Sequence, residues 1–130
     1  MQNLERLKQS RDILFKLHKE LVDQTRADYE NLFGPTSSGQ FLNALLNDVE
    51  LSWLRRISGL IVEIDEYIAL KDGFESKRTE ELLNKIFFMA NGQSGDDFFE
   101  ERIAFYSDKS IKTPQLLAEL RAASDLSGGF

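Results

Sequence analysis

The apolar residues of this chain recur with the period of an α-helix from one end to the other. Spacings of three, four and seven place them on one side of each segment, and glycine, proline or short polar stretches separate the segments. No segment shows the two-residue alternation of a strand. The pattern therefore predicts an all-α fold, a single-domain helical bundle of five or six helices with an up-and-down core. The predicted helices run through about 3–33, 41–46, 49–70, 77–91, 98–106 and 113–120.

Capping residues mark several of the predicted helix ends. Ser37, followed three positions later by Gln40, matches a capping box. Asp48 is placed to cap the long helix after it, and Thr113 before Pro114 is typical of a helix start with threonine as the cap. The Ser-Gly-Gly sequence near the end predicts a loose segment. The expected division is a helical bundle domain at 1–124 and a flexible C-terminal tail at 125–130.

The segment 49–70 is the most apolar part of the chain, and its apolar face is broad. Such a helix is expected to lie at the centre of a bundle, with neighbours on more than one side. The residues expected to form the core are Leu14, Leu21, Trp53, Leu54, Ile57, Ile61, Ile64, Leu83 and Ile86.

Charge and composition exclude several classes of function. The formal net charge is −6, which disfavours binding to the phosphates of nucleic acid. The absence of cysteine rules out disulfides and thiolate chemistry and is typical of a reducing compartment, so we expect a cytoplasmic protein. No stretch approaches the roughly 20 apolar residues that span a bilayer. The first eight residues include charged side chains and no apolar run, so we expect neither a secretory signal nor a membrane partner.

Four polar residues are candidates for a structural polar cluster: His18, Arg26, Arg55 and Asp65. Asp65 stands among apolar residues, and a partly buried carboxylate needs a partner. We expect that partner in the first helix, with Arg26 favoured over His18 because the planar guanidinium holds a carboxylate bidentately. The less favoured alternative is an enzyme in which Asp65 works with His18 or Arg26. With His18 as the only histidine, we expect no metal site and no cofactor.

Phenylalanine is abundant, with ten residues beside one tryptophan and three tyrosines. Adjacent phenylalanines on a helix point about 100° apart, so not all of them can face one core. Some rings are therefore candidates for a pocket or an interface, while an ordinary core with a few exposed rings remains the alternative. The candidate aromatic residues are Trp53, Phe87, Phe88, Phe98 and Phe99.

Two stretches in the first half of the chain carry a further pattern. The matching residues are Leu17–Leu21, Arg26, Tyr29 and Glu30 in the first stretch, and Asn47, Asp48, Trp53–Arg55, Ser58 and Leu60–Glu66 in the second. The pattern resembles that of a family of small, uncharacterised bacterial helical proteins. In that family a proline often stands where this chain has Val49, and either residue can begin a helix. The resemblance implies a bacterial source and a helical bundle, and it supplies no activity and no site.

The sequence contains no phosphate-binding glycine loop, no nucleophile elbow and no His-Glu-x-x-His motif. We therefore expect a non-enzymatic interaction protein that acts through an apolar surface, on another protein or on a second copy of itself as a homodimer. The alternative is a sensor or carrier that holds a small apolar ligand in a pocket of the bundle.

Overall fold

The computed structural model describes residues 2–70 and 73–127, and this part of the chain is helical without a strand. A 3₁₀ turn at Val49–Leu51 precedes the third helix. The α-helices are α1 Gln2–Phe33, α2 Ser38–Asn47, α3 Ser52–Ile68, α4 Ser76–Ala90, α5 Asp97–Lys109 and α6 Lys112–Ser124. The predicted all-α bundle of five or six helices is confirmed.

Helix α2 extends beyond both ends of the predicted range, and the predicted boundaries of α3 shift by a few residues. Ser37 and Gln40 form the expected capping box at the start of α2. The Asp48 carboxylate accepts a hydrogen bond from the Glu50 amide at 2.9 Å, so it caps the 3₁₀ turn. The α-helix proper begins only at Ser52. The predicted stop of this helix includes residues 71 and 72, which lie outside the described part of the chain.

The start of α6 differs from the prediction that Thr113 is its cap. Ile111 occupies the cap position, and Thr113 lies buried within the first turn. The Thr113 hydroxyl accepts a hydrogen bond from Gln24 Nε2 of α1 at 2.9 Å. The hydroxyl that would have capped the helix is thus engaged in a contact between helices, and α6 begins earlier along the chain than predicted.

Helix α1 is the spine of the bundle, because it packs against α3, α4 and α6. Its contacts with α6 are antiparallel: Arg6 at one end donates to the carbonyl of Asp125, and Gln24 towards the other end reaches Thr113. The pairing of α1 with α3 is antiparallel as well. Arg11, early in α1, contacts Asp65 late in α3, whereas Asp28, late in α1, contacts Tyr106, which stacks on Trp53 at the start of α3. The leucines of α1 that seal these interfaces are Leu7, Leu14, Leu17 and Leu21, all buried.

The buried side chains form one large core and a smaller cluster under α2. The small cluster consists of Phe41, Ala44 and Leu51. All nine residues expected to form the core are buried, and all belong to the large cluster. Helix α3 contacts α1, α2 and α5, so it has neighbours on more than one side as expected, but α1 makes the more extensive contacts and is the central helix.

Within the described ranges, no helix has a stretch long and apolar enough to cross a membrane. The start of the predicted tail carries contacts, because Leu126 packs against the core and the Asp125 carbonyl accepts from Arg6. The last three residues lie outside the described chain, so the flexible tail stays a prediction.

Candidate binding groove

A groove of about 500 Å³ runs between α3 and α4. Its lining on α3 extends from Arg55 to Glu63, which corresponds to a length of about 12 Å along the helix axis. Three side chains of α4 form the opposite wall, and the segment between α4 and α5 closes one end. The lining residues are Arg55, Arg56, Gly59, Leu60, Glu63, Lys85, Phe88, Met89, Gln93 and Ser94.

The floor of the groove is apolar and is opened by a glycine. Leu60 and Met89 are almost buried beneath it, and the Phe88 ring stands at its edge, 46% exposed. A Cβ atom added to Gly59 would meet no other atom within 4 Å. Glycine in the middle of a helix is unfavourable by about 0.5–1 kcal/mol relative to alanine. Contacts among the described residues do not require Gly59, yet its missing side chain leaves the groove open.

Ion pairs bound the groove at both ends. At one end the Glu63 carboxylate contacts Arg78 and, at 3.1 Å, the Lys85 ammonium. At the other end Arg56 donates to the Ser94 carbonyl at 2.6 Å and lies 3.4 Å from an Asp96 carboxylate oxygen. These contacts tie α3 to α4 and to the segment that follows α4, and they leave the middle of the groove open.

The walls of the groove are basic, although the chain as a whole is acidic. Among the residues that line the groove, the three cations Arg55, Arg56 and Lys85 outnumber one carboxylate, that of Glu63. Burial alone would raise the pKa of Glu63, but hydrogen bonds from Arg78 and Lys85 hold it below its ordinary value. Glu63 is therefore ionised at neutral pH and is poorly suited to proton transfer.

Arg55 has a second role in addition to lining the groove. Its Nη1 atom donates to the carbonyls of Leu45 at 2.8 Å and Leu46 at 3.0 Å, at the C-terminal end of α2. A guanidinium at this place satisfies carbonyls that have no partner within the helix and complements the helix dipole. One side chain thus joins α2 to the groove.

Asp65 pairs with α1 as predicted, but the predicted partner Arg26 is wrong. Arg11 holds both carboxylate oxygens of Asp65, at 2.7 and 2.9 Å. Arg26 instead donates to the Thr36 carbonyl at 2.8 Å. Because α1 and α3 are antiparallel, the segment of α1 opposite Asp65 lies about four turns before Arg26.

The four polar candidates therefore do not form one cluster. The hydrogen bonds from Arg11 lower the pKa of Asp65, which is the opposite of the raised pKa that acid catalysis would need. His18 is half-buried, and this burial lowers its pKa. Among residues 2–70 and 73–127, no three His, Asp or Glu side chains come together as metal ligands would.

The aromatic candidates divide between the core and the surface. Trp53 stacks on Tyr106 with ring centroids 5.6 Å apart, and Phe99 lies buried 6.4 Å from the same indole. Phe87 is half-buried, and Phe98 is exposed. Among the five candidates, only Phe88 lines the groove. Trp53 and Phe99 are core residues, as the alternative interpretation expected.

A polar network surrounds the buried Trp53 ring and links α1 to α5. The Tyr106 hydroxyl donates to Asp28 Oδ2 at 3.0 Å, and Lys109 lies 3.6 Å from the other oxygen. Arg102 stands over the faces of Trp53 and Tyr106. Burial raises the pKa of Tyr106, and the adjacent Asp28 carboxylate raises it further. The phenol is therefore neutral and acts here as a fixed hydrogen-bond donor between helices.

Of the ten residues that line the groove, the sequence analysis named only Arg55 and Phe88 as candidates, and the eight that it missed include Gly59, Glu63 and Lys85. The available signal was Gly59, an isolated glycine inside a strongly helical segment, which often has a packing or functional reason. The charged pair was not detectable, because Glu63 and Lys85 are 22 positions apart and meet only through the packing of α3 on α4.

Comparison with known proteins adds no assignment. No family model, no curated protein and no solved structure matches this chain. This result is consistent with an uncharacterised family.

Proposed function

We propose that this protein is a non-enzymatic binding module that takes up a short, acidic, amphipathic helix of a partner protein in the α3–α4 groove. The observation that carries the proposal is Gly59, whose missing side chain opens an apolar floor that no residue of 2–70 and 73–127 occupies. Apolar grooves between helices commonly bind the apolar face of a partner helix.

The dimensions and charges of the groove define the partner. A length of about 12 Å accommodates roughly two turns of a helix. Leucine-sized side chains on one face of the partner would pack on Leu60, Met89 and Phe88, with close backbone approach over Gly59. Glutamates beside that face would meet Arg56 and Lys85, which favours an acidic partner over a basic one.

A second candidate function is the binding of a small organic acid with an apolar body. The ion pairs at the two ends of the groove favour a compact ligand, and a volume of about 500 Å³ is typical of small-molecule sites. In this version the carboxylate lies against Arg55 and Arg56, and the apolar body covers Met89.

The test is a titration of ¹⁵N-labelled protein, monitored by NMR. The first probe is a synthetic helical peptide with leucines at positions i, i+3, i+4 and i+7 and glutamates between them. We expect shifts of amides along the groove, centred on Gly59 and Met89. The same peptide with lysine in place of glutamate should bind far more weakly. Decanoate is the second probe, and binding of decanoate alone would favour the small-molecule version.

Matched variants test where the peptide binds. Gly59→Leu fills the groove and should abolish binding, whereas Val62→Leu, at an exposed position of α3 outside the groove, should leave it unchanged. Gly59→Ala keeps the helix and should weaken binding only moderately. Peptide binding that persists in Gly59→Leu, or amide shifts confined to another surface, would show that the groove is not the site.

A further inference from the structure

Helix α2 presents an apolar face that the described part of the chain leaves uncovered. Its inner side is buried through Phe41 and Ala44. On the outer side, Leu42 and Leu46 stand one turn apart and are 55% and 61% exposed, and Val49 in the following 3₁₀ turn is 75% exposed. This α2 face, which we define as Leu42, Asn43, Leu46, Asn47 and Val49, is separate from the α3–α4 groove.

The α2 face differs from the remaining surface in its charge. Within Ser38–Asn47 there is no charged residue, whereas each of the other α-helices carries both acidic and basic side chains. The polar positions on this face are amides, with Asn47 Nδ2 donating to Asn43 Oδ1 at 2.8 Å. An amide both donates and accepts hydrogen bonds, so it can pair with a copy of itself, which a charged group cannot do.

We propose that the α2 face binds a second copy of this chain, with the two α2 helices antiparallel across a two-fold axis. Copies of a chain with net charge −6 repel one another over most of their surface. A two-fold interface brings the same patch of both copies together, so an uncharged, self-complementary face is the one suited to it. A charged partner would find no counter-charge on α2, whereas a second copy would meet an uncharged face like its own.

The ends of α2 also suit an antiparallel pair. The helix is about 15 Å long, so its C-terminal end would lie beside the N-terminal end of the copy. The carboxylates of Asp48 and Glu50 follow the C-terminal end and would approach the positive end of the neighbouring helix dipole. Because one short helix forms most of the contact, the interface is small and the dimer is expected to be weak.

Sedimentation velocity of the full chain tests the proposal between about 10 μM and about 1 mM, the range expected for a weak dimer. We expect the weight-average mass to rise from monomer towards dimer across this range. Leu46→Lys places like charges at the interface and should keep the protein monomeric throughout. Val62→Lys, an equally exposed apolar position on α3, should dimerise like the unmodified chain.

A charge-swap experiment makes the test independent of folding. Leu46→Lys and Leu46→Glu should each remain monomeric alone, and mixing them should restore a dimer. Circular dichroism and thermal unfolding check that both variants fold. A chain that stays monomeric up to the highest concentration would overturn the proposal. So would a dimer that persists in Leu46→Lys, because the copies would then associate through another surface.

Discussion

The two sides of α3 differ in how completely they are filled. On the side that faces α5, Trp53 is only 2% exposed and lies between the rings of Tyr106 and Phe99. On the side that faces α4, Phe88 is 46% exposed, and the position of Gly59 borders open space. One helix thus closes a core on one side and forms an open groove on the other.

The difference follows from the size of the side chains at each contact. Aromatic rings fill the space between α3 and α5, and their mutual contacts add to the burial of apolar area. On the side of α3 that faces α4, Gly59 has no side chain to fill the space. Helices α3 and α4 are therefore joined mainly by the ion pairs of Glu63 with Arg78 and Lys85. Surface ion pairs contribute little to stability, so the groove side is held more weakly than the core side.

The largest expected effect is at Trp53. Trp53→Ala removes a buried, stacked ring and should lower the free energy of unfolding by about 3–5 kcal/mol. The matched change on the groove side, Phe88→Ala, should lower it by less than about 1 kcal/mol. Urea unfolding of both variants measures the contrast. Equal losses of unfolding free energy in the two variants would mean that the groove wall is packed like the core. The two sides of α3 would then not differ.

The sequence predicts the closed side of α3 better than the open side. The apolar period identifies Trp53, Ile57 and Ile64 as buried because burial of a helix face depends on spacing that a linear pattern contains. The groove depends on the angle and distance at which α4 meets α3, and these follow from packing between distant segments. The apolar period therefore identifies the buried face of a helix, but it does not identify a groove between two helices.

The partner of Asp65 shows the same limit within one helix. Arg11 and Arg26 are 15 residues apart on α1, which is a little over four turns, so they project in similar directions. The sequence therefore predicts an arginine of α1 as the partner, and the structure confirms the helix and corrects the residue to Arg11. The position along the axis is set by the antiparallel docking of α1 on α3, which helical spacing does not encode.

The next largest effect is expected at Gly59, where a substitution tests whether the space beside this residue is open. Because a Cβ atom there meets nothing, Gly59→Ala should raise the free energy of unfolding by about 0.5–1 kcal/mol through helix propensity. Gly92 provides the control, since its φ of +73° disfavours any side chain. Gly92→Ala should destabilise the protein by about 1 kcal/mol. A loss of stability in Gly59→Ala would indicate that the groove is tighter than the structure shows.

A smaller effect is expected from the ion pair on the α1 side of α3. A double-mutant cycle of Arg11→Gln and Asp65→Asn should give a coupling free energy of about 0.5 kcal/mol, because both side chains are partly exposed to solvent. The matched cycle with Arg26→Gln in place of Arg11→Gln should give no coupling. Chemical unfolding at neutral pH and low salt measures both cycles. Coupling to Arg26 rather than to Arg11 would contradict the observed register of α1 on α3.

The smallest effect concerns the pH dependence of the ion pairs at Glu63 on the groove side. The pKa of Glu63 is below its ordinary value in the folded protein, so the unfolded chain binds its proton first as the pH falls. The stabilising contribution of the carboxylate is therefore complete above the ordinary glutamate pKa and is lost as the pH drops through the lowered one.

Glu63→Gln should be less stable than the unmodified protein at neutral pH, and the difference should shrink towards acid. Glu66→Gln, at an exposed position on the same helix, is the matched control substitution. Unfolding curves from about pH 7 to about pH 3 cover this range. If the stability difference for Glu63→Gln stayed constant across these curves, the carboxylate would contribute nothing through its charge, and another contact would have to hold α4 beside the groove.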